Sequence, residues 1–201
     1  MRRRSFFKAA TLGPLFLRAQ TLFAQSFDLI IRGGRVIDPS LNLDTIADVG
    51  IANGRIESID RELNASATDE INATNKIVVP GLLDIHAHYA QDDRGAHICL
   101  SDGVTGWVDA GSAGADNIEE MVAVARSAPQ PARILLNIGR GGVIPEGDTA
   151  DISMANVELA KAAIASNLDY VVGVKARLTS GVTANDIVVI RRAQEVASYF
   201  N

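Results

Sequence analysis

The sequence contains a single cysteine, Cys99, and only three histidines in 201 residues. One cysteine excludes an intrachain disulfide and any zinc site built from several cysteines. Aromatic residues are also few, at 5% of the chain, but hydrophobic residues reach 47% and charged residues 21%. These values indicate an ordinary globular protein, long enough for one domain with a sizeable core or for one domain and a small addition.

Basic residues are scarce after position 25. Five of the 19 Lys and Arg residues lie in the first 25 positions, which contain no acidic residue, so 14 basic residues face 24 acidic ones in the remainder. A protein that binds nucleic acid through its body needs a basic face. We therefore expect no nucleic-acid partner.

The N-terminal segment lacks an apolar run that could span a bilayer, because Pro14, Arg18 and Gln20 interrupt it. Its basic start, its moderately apolar middle and "RRSFFK" at positions 3–8 are typical of a twin-arginine export signal. Residues 1–25 are therefore predicted to be a signal peptide, which implies a periplasmic protein without a stable membrane anchor. The alternative is a basic amphipathic helix that stays attached.

Residues 26–79 consist of short β-type runs that alternate apolar and polar residues around glycines. Asn53-Gly54 supplies the two positive φ angles that a tight hairpin needs. The pattern predicts a small antiparallel sheet, which forms the N-terminal β-sandwich portion of the protein.

Residues 80–201 alternate apolar runs with stretches whose apolar residues are three and four positions apart. This alternation predicts an α/β fold with parallel strands joined by helices, the last of which is capped by Thr183 or Asn185. Four such units fit, whereas a closed (β/α)8 TIM-type barrel needs about 250 residues. The prediction is the first half of such a barrel.

Two of the three histidines follow the first of these apolar runs, in "IVVPGLLDIHAH". Residues i and i+2 of a strand project to one face, so His86 and His88 share a face with Asp84. That strand ends where barrel active sites are assembled, and two adjacent imidazoles suit Zn²⁺. Taken alone the spacing is weak evidence, because surface pairs and core histidines are common.

Four segments of the sequence together resemble the motifs of a known family. "VVPGLLDIHAH" at 78–88 resembles the first-strand motif of the metal-dependent amidohydrolase superfamily. "GVTGWVDAGSAGADN" at 103–117, "RILLNIGRGG" at 133–142 and "VVGVKARLTSGVT" at 171–183 resemble the next three strands of its deacetylase and dihydroorotase-like branch. The resemblance extends from Phe27 to Asn201 and implies that His86 and His88 are metal ligands.

Lys175 lies inside the apolar run "VVGVKARL". A buried ammonium is costly, so this lysine must reach the surface, pair with an acid or be neutralised. A neutral amine can add CO₂ and become a carbamate. The resemblance implies that Lys175 is the carboxylated lysine that bridges two divalent ions, expected to be zinc.

Other polar residues carry weaker expectations. Asp109 precedes a turn of small residues that either lets a substrate approach the backbone or, as we favour, leads into a helix. Asn137 and Arg140 end the third apolar run of residues 80–201 and are expected to be solvated loop residues rather than pocket residues. His97 and Cys99 are expected to pack structurally.

The resemblance implies a hydrolase of carbon–nitrogen bonds in amides, N-acyl compounds or cyclic amides, with a small-molecule substrate and a homo-oligomeric complete protein. No catalytic residue is assigned here, since the proton-transferring aspartate and two more histidines are expected beyond residue 201. This chain alone is therefore expected to be inactive. Alternatives are a heterocycle deaminase of the same superfamily, a non-catalytic half-barrel that binds a partner or assembles, and an exported solute-binding protein.

Overall fold

The computed structural model describes residues 26–91 and 94–200, and the chain divides into two compact units between Val79 and Pro80. The first unit contains five strands: β1 (Ser26–Asp38), β2 (Leu43–Ala52), β3 (Arg55–Asp60), β4 (Ser66–Asn72) and β5 (Ile77–Val78). They form one sheet in the order β3-β2-β1-β4, and β5 also pairs with β1.

The sheet of the first unit is mixed rather than antiparallel throughout. β1 pairs with β2 and β2 with β3 in antiparallel fashion, but β4 and β5 both run parallel to β1. The predicted hairpin is present, with φ values of 52° at Asn53 and 70° at Gly54. Hairpin patterns reveal neighbouring strands, whereas the parallel return of β4 depends on tertiary packing, which accounts for the incorrect expectation.

The second unit alternates strands and helices: β6 (Leu82–Ala87), α1 (Gly95–Ser101), β7 (Val104–Asp109), α2 (Ile118–Ser127), β8 (Ala132–Asn137), α3 (Val157–Ala165), β9 (Val171–Lys175) and α4 (Asp186–Tyr199). The four strands are parallel in the order β6-β7-β8-β9. This arrangement confirms the predicted α/β fold and the first half of a (β/α)8 barrel.

The core of the second unit explains why its strands and helices form where they do. Alternate residues of β8, Ile134 and Leu136, are fully buried and pack with Val122 of α2 and Val189 of α4. Asn185 caps α4, because its Oδ1 accepts a hydrogen bond of 3.1 Å from the Val188 amide. Because one face of the strands is buried against the helices, polar residues lie at the strand ends.

None of the helices within the described ranges is both long and apolar enough to cross a membrane.

Candidate metal centre

His86 and His88 lie at the carboxyl end of β6 and together form what we call the histidine pair. Both side chains are exposed, whereas Ala87 between them is buried. Their ring centroids are 5.8 Å apart, with the ring planes 64° from parallel. The strand geometry therefore places two imidazoles side by side, as the two-residue spacing predicts.

Asp84 does not stand free beside the histidine pair. Its Oδ1 accepts a hydrogen bond of 2.9 Å from the His86 backbone amide, and its Oδ2 accepts one of 3.2 Å from the Tyr89 hydroxyl. Burial is the main reason that the pKa of Tyr89 is raised, with its bond to Asp84 acting in the same direction. Asp84 therefore holds the end of β6 in shape.

His88 has a side-chain partner in the loop after β7. The distance from its Nδ1 to Ser112 Oγ is 2.7 Å. Ser112 in turn donates from Oγ to Asp109 Oδ2 at 2.8 Å and from its backbone amide to Asp109 Oδ1 at 2.7 Å. The hydroxyl lies between the imidazole and the carboxylate, whereas a serine nucleophile needs the imidazole in the middle. The arrangement is therefore not a serine hydrolase triad.

Lys175 is the last residue of β9, where it pairs in register with Asn137 of β8. Its half-buried side chain packs directly over Gly111, since a Cβ added at Gly111 would lie 2.5 Å from Lys175 Cβ and 2.6 Å from its Cγ. Gly111 precedes Ser112, the partner of His88. The loop after β7 therefore contacts both Lys175 and the histidine pair.

A second group of polar side chains, Asn137, Asp148 and Arg177, forms what we call the Asp148 network. Asp148 is 1% exposed, and its carboxylate accepts four hydrogen bonds. Arg177 donates from Nε at 3.1 Å and from Nη2 at 2.5 Å, Asn137 donates from Nδ2 at 2.9 Å, and the Ile144 amide donates at 3.3 Å. These donors balance a buried charge that would otherwise be costly.

Of the weaker expectations for Asn137, Asp109 and Arg140, only the one for Asn137 needs correction. Asn137 is 1% exposed rather than solvated, because its amide group bonds to Gly111 O and to Asp148. The turn after Asp109 leads into α2, which begins at Ile118, as favoured, and Asp109 itself accepts a hydrogen bond from the Ser112 amide. Arg140 is partly exposed and forms an ion pair of 2.7 Å with Asp116.

The expectations for α1 are half right. Cys99 is buried, and burial raises the pKa of its thiol. His97 is exposed, so the packing prediction for it is wrong. The seven-residue helix buries only Ala96 and Cys99, which leaves His97 on its outer side.

Sequence reasoning missed four residues of these clusters: Gly111, Ser112, Asp148 and Arg177. The small-residue run "DAGSAG" was a usable indication of close backbone approach, and the approaching group is the stem of Lys175. Asp148 and Arg177 are 29 residues apart in the chain. No local pattern links residues at that separation.

No protein-family model matches the chain. It is 29% identical over 177 residues to a deacetylase of Enterococcus faecalis, an alignment that covers 85% of this chain and 47% of that relative. A dihydroorotase of Trichlorobacter lovleyi is 50% identical over 62 residues, which are 30% of this chain and 15% of the relative.

Solved structures agree in fold. An adenine deaminase has a TM-score of 0.71 and 28% identity, covering 86% of this chain and 48% of that one. An N-acyl-D-glutamate deacylase from Bordetella bronchiseptica, complexed with zinc and a phosphonate inhibitor, has a TM-score of 0.61 and 18% identity, with coverages of 88% and 44%. The chain spans about half the length of the deacetylase and of these solved chains.

One prediction is corrected by these comparisons. The expected export signal, residues 1–25, lies outside the described residues. The names of the relatives and solved structures describe deacetylases, dihydroorotases, an allantoinase and a deaminase, and none points to export. The signal-peptide prediction is therefore corrected, because the comparisons support a hydrolase and do not support export, and the cellular location stays a prediction. A basic, apolar N-terminal segment is not specific for export, which explains the error.

Proposed function

Because the chain belongs to the deacetylase and dihydroorotase-like branch of the metal-dependent amidohydrolase superfamily, we propose that it forms part of a metal-dependent hydrolase of carbon–nitrogen bonds. Its substrate is a small amide, N-acyl compound or cyclic amide, and its metal ligands are His86, His88 and Lys175. The observation that carries this proposal is the exposed histidine pair beside a loop that also contacts Lys175.

The donor set fits a divalent metal such as zinc. Neutral imidazole nitrogens are good zinc ligands, and the Ser112 hydroxyl contacts the ring of His88. Within residues 26–91 and 94–200, no group of three or more His, Cys, Asp and Glu side chains could hold a metal ion. The two imidazoles therefore need a ligand of another kind, which Lys175 can supply.

Lys175 becomes a ligand once its amine is neutral and reacts with CO₂. The lone pair of Nζ attacks the carbon of CO₂, an N–C bond forms and a proton leaves, which yields a carbamate with anionic oxygens. A carbamate at Lys175 would thereby add anionic oxygen ligands to the imidazoles of His86 and His88. When bound, divalent ions supply polarisation of the scissile carbonyl and a water molecule of lowered pKa.

The roles of the protein groups follow from their positions. His86 and His88 would hold the ion at the carboxyl end of the sheet, where the parallel strands present their loops. Ser112 orients one imidazole, and Gly111 leaves room for the stem of Lys175. The Asp148 network keeps the adjoining loop in place through the bond from Asn137 to Gly111 O.

The test uses the complete parent protein loaded with zinc. We expect hydrolysis of N-acetyl amino acids or of dihydroorotate, and we expect a chelator to abolish it. Turnover that persists after metal removal would contradict the proposal, as would absence of metal from active protein.

Deamination of a nitrogen heterocycle is the second candidate, because a solved adenine deaminase is 28% identical with a TM-score of 0.71. Ammonia release from adenine without hydrolysis of amides would favour it. Failure of both reactions in protein that retains its metal would instead favour a non-catalytic binding or assembly module.

For the chain of 201 residues alone, we expect weak metal binding and no turnover above background. At the proposed site the described ranges offer the two imidazoles of the histidine pair and one lysine as ligands, which is fewer than a two-ion site needs. Equilibrium dialysis against zinc and the same hydrolysis assays check this expectation.

We also propose that the complete protein is a homo-oligomer. This part of the proposal comes from the family resemblance and not from the edge strand β6, because its exposed residues, Leu82, Leu83 and Ile85 at 57%, 63% and 71%, lie where a closed barrel would place its remaining strands. Sedimentation of the complete protein at several concentrations tests this part, and a monomer at all of them would refute it.

A further inference from the structure

The hydrogen bonds around Ser112 connect Asp109, Ser112 and His88 in a series. Asp109 is fully buried, and its two carboxyl oxygens accept separately from the amide and from the hydroxyl of Ser112, at 2.7 and 2.8 Å. The same hydroxyl oxygen lies 2.7 Å from His88 Nδ1. Each group in this series has a fixed number of protons and lone pairs, which determines which atom donates in each hydrogen bond.

A serine hydroxyl carries one proton and two acceptor lone pairs. Ser112 gives its proton to Asp109 Oδ2, so it can only accept from His88. The Nδ1 atom of His88 must therefore carry hydrogen. A neutral imidazole has one N–H, which leaves the lone pair of His88 on Nε2.

We propose that Ser112 and Asp109 are positioning residues that hold His88 as its Nδ1–H tautomer, with the Nε2 lone pair free to bind a metal ion. This inference rests on the proposed function only for the identity of the ligand at Nε2. The tautomer itself follows from the hydrogen bonds.

The loop that carries Ser112 is fixed from several sides. The backbone amide of Asn137 donates to Ala113 O at 2.8 Å, and the amide of Val143 donates to Ser112 O at 3.0 Å. Asn137 Nδ2 also donates to Gly111 O at 3.1 Å. These hydrogen bonds of the loop preorganise the Ser112 hydroxyl beside His88.

The two rings of the histidine pair differ in this respect. In the described part of the chain, the Ser112 hydroxyl forms a hydrogen bond with the ring of His88 and not with that of His86. The tautomer of His88 should therefore respond to changes at Ser112 and Asp109, while that of His86 should not. This contrast provides a comparison inside the same protein.

The experiment measures the histidine tautomers of the metal-free full chain by long-range ¹H–¹⁵N NMR. Three histidines give three ring systems, which His86→Ala and His97→Ala assign. We expect His88 as Nδ1–H in the unsubstituted protein. We expect a mixture of tautomers in Ser112→Ala. Ser127→Ala, which removes an exposed hydroxyl that donates to Val124 O, should change nothing.

Asp109→Asn gives the sharpest outcome. Its carbonyl oxygen must still accept the Ser112 amide, so its NH₂ group faces the Ser112 hydroxyl and donates to it. The hydroxyl proton then turns to His88 Nδ1, which reverses the tautomer to Nε2–H. A thermal melt of each variant shows that it is folded, and the Ser112→Ala result decides the matter if Asp109→Asn does not fold.

Zinc affinity in the complete protein, measured against a competing chelator, supplies the second readout. Loss of a ligand's hydrogen-bonded partner commonly costs 10- to 100-fold in metal affinity, and we expect a loss of about that size in Ser112→Ala. His88 found as Nε2–H, or a Ser112→Ala protein with unchanged tautomer and affinity, would overturn the inference. Protein that shows the expected tautomers but binds no zinc would refute the proposed function and leave the positioning role standing.

Discussion

The histidine pair and the Asp148 network belong to the same unit, yet they use their polar groups in opposite ways. The rings of His86 and His88 are exposed, and Ser112 contacts one of them at Nδ1. Asp148 is buried and accepts four hydrogen bonds from within the protein. A binding site must keep lone pairs available to a ligand, whereas a structural cluster satisfies all of its own. The comparison predicts loss of function in the first case and loss of stability in the second.

The largest effect is expected from removal of either ring of the histidine pair. His86→Ala or His88→Ala in the complete protein should lower activity by more than about 100-fold, because losing a direct ligand costs more than losing its hydrogen-bonded partner. Elemental analysis should show that metal is lost as well. His97→Ala, which removes an exposed ring of α1, is the control and should retain both activity and metal. Full metal content in His86→Ala would show that the site is assigned wrongly.

Lys175→Ala tests whether the lysine belongs with the histidine pair or only supports the loop. We expect loss of the second ion and partial recovery of activity with added short carboxylic acids, which would occupy the place of the carbamate. Metal content and turnover measured with and without acetate provide the check. An unmodified lysine paired with an acid in metal-loaded protein would refute the carbamate.

For the Asp148 network, the expected effect is on stability. Arg177→Met leaves the carboxylate of Asp148 buried without its cation, which should lower the free energy of unfolding by about 3 kcal/mol. Arg140→Met is the matched control, because the Arg140–Asp116 pair is 42% exposed on both sides and should be worth less than about 1 kcal/mol. Urea denaturation measures both. Equal losses of stability in the two variants would contradict the prediction that the buried ion pair contributes more than the exposed one.

The smallest expected difference comes from two glycines with nearly the same φ angle. Gly103 and Gly111 have φ values of 86° and 85°, but a Cβ at Gly103 would meet nothing within 4 Å. Gly103→Ala should cost about 1 kcal/mol through its left-handed backbone. Gly111→Ala should cost about 2 kcal/mol more, because its methyl group collides with Lys175.

Metal content separates the two glycine variants further. Gly111→Ala displaces the stem of Lys175 and should lower the zinc content of the complete protein, whereas Gly103→Ala should not change it. If both variants lose the same stability and keep their metal, the contact between Gly111 and Lys175 affects neither stability nor metal binding.

The sequence was sufficient for much of the fold because its patterns are local. Alternation of apolar runs with helical spacing predicted the parallel strands of the second unit, and Asn53-Gly54 predicted a hairpin. The parallel pairing of β4 with β1 was not foreseen, because it joins segments about 40 residues apart that no turn motif connects. Solvation of Asn137 was predicted wrongly for a similar reason, since the Asp148 carboxylate that accepts its hydrogen bond lies in a loop after β8.

The same division applies to the site. The position of His86 beside His88 was determined by the sequence itself, because the two-residue period of a strand puts both side chains on one face. Pairing of Ser112 with His88, packing of Lys175 over Gly111 and the bond between Arg177 and Asp148 were decided only by the tertiary structure. They join residues 24 to 64 positions apart, and such contacts depend on how strands and loops pack rather than on local backbone geometry.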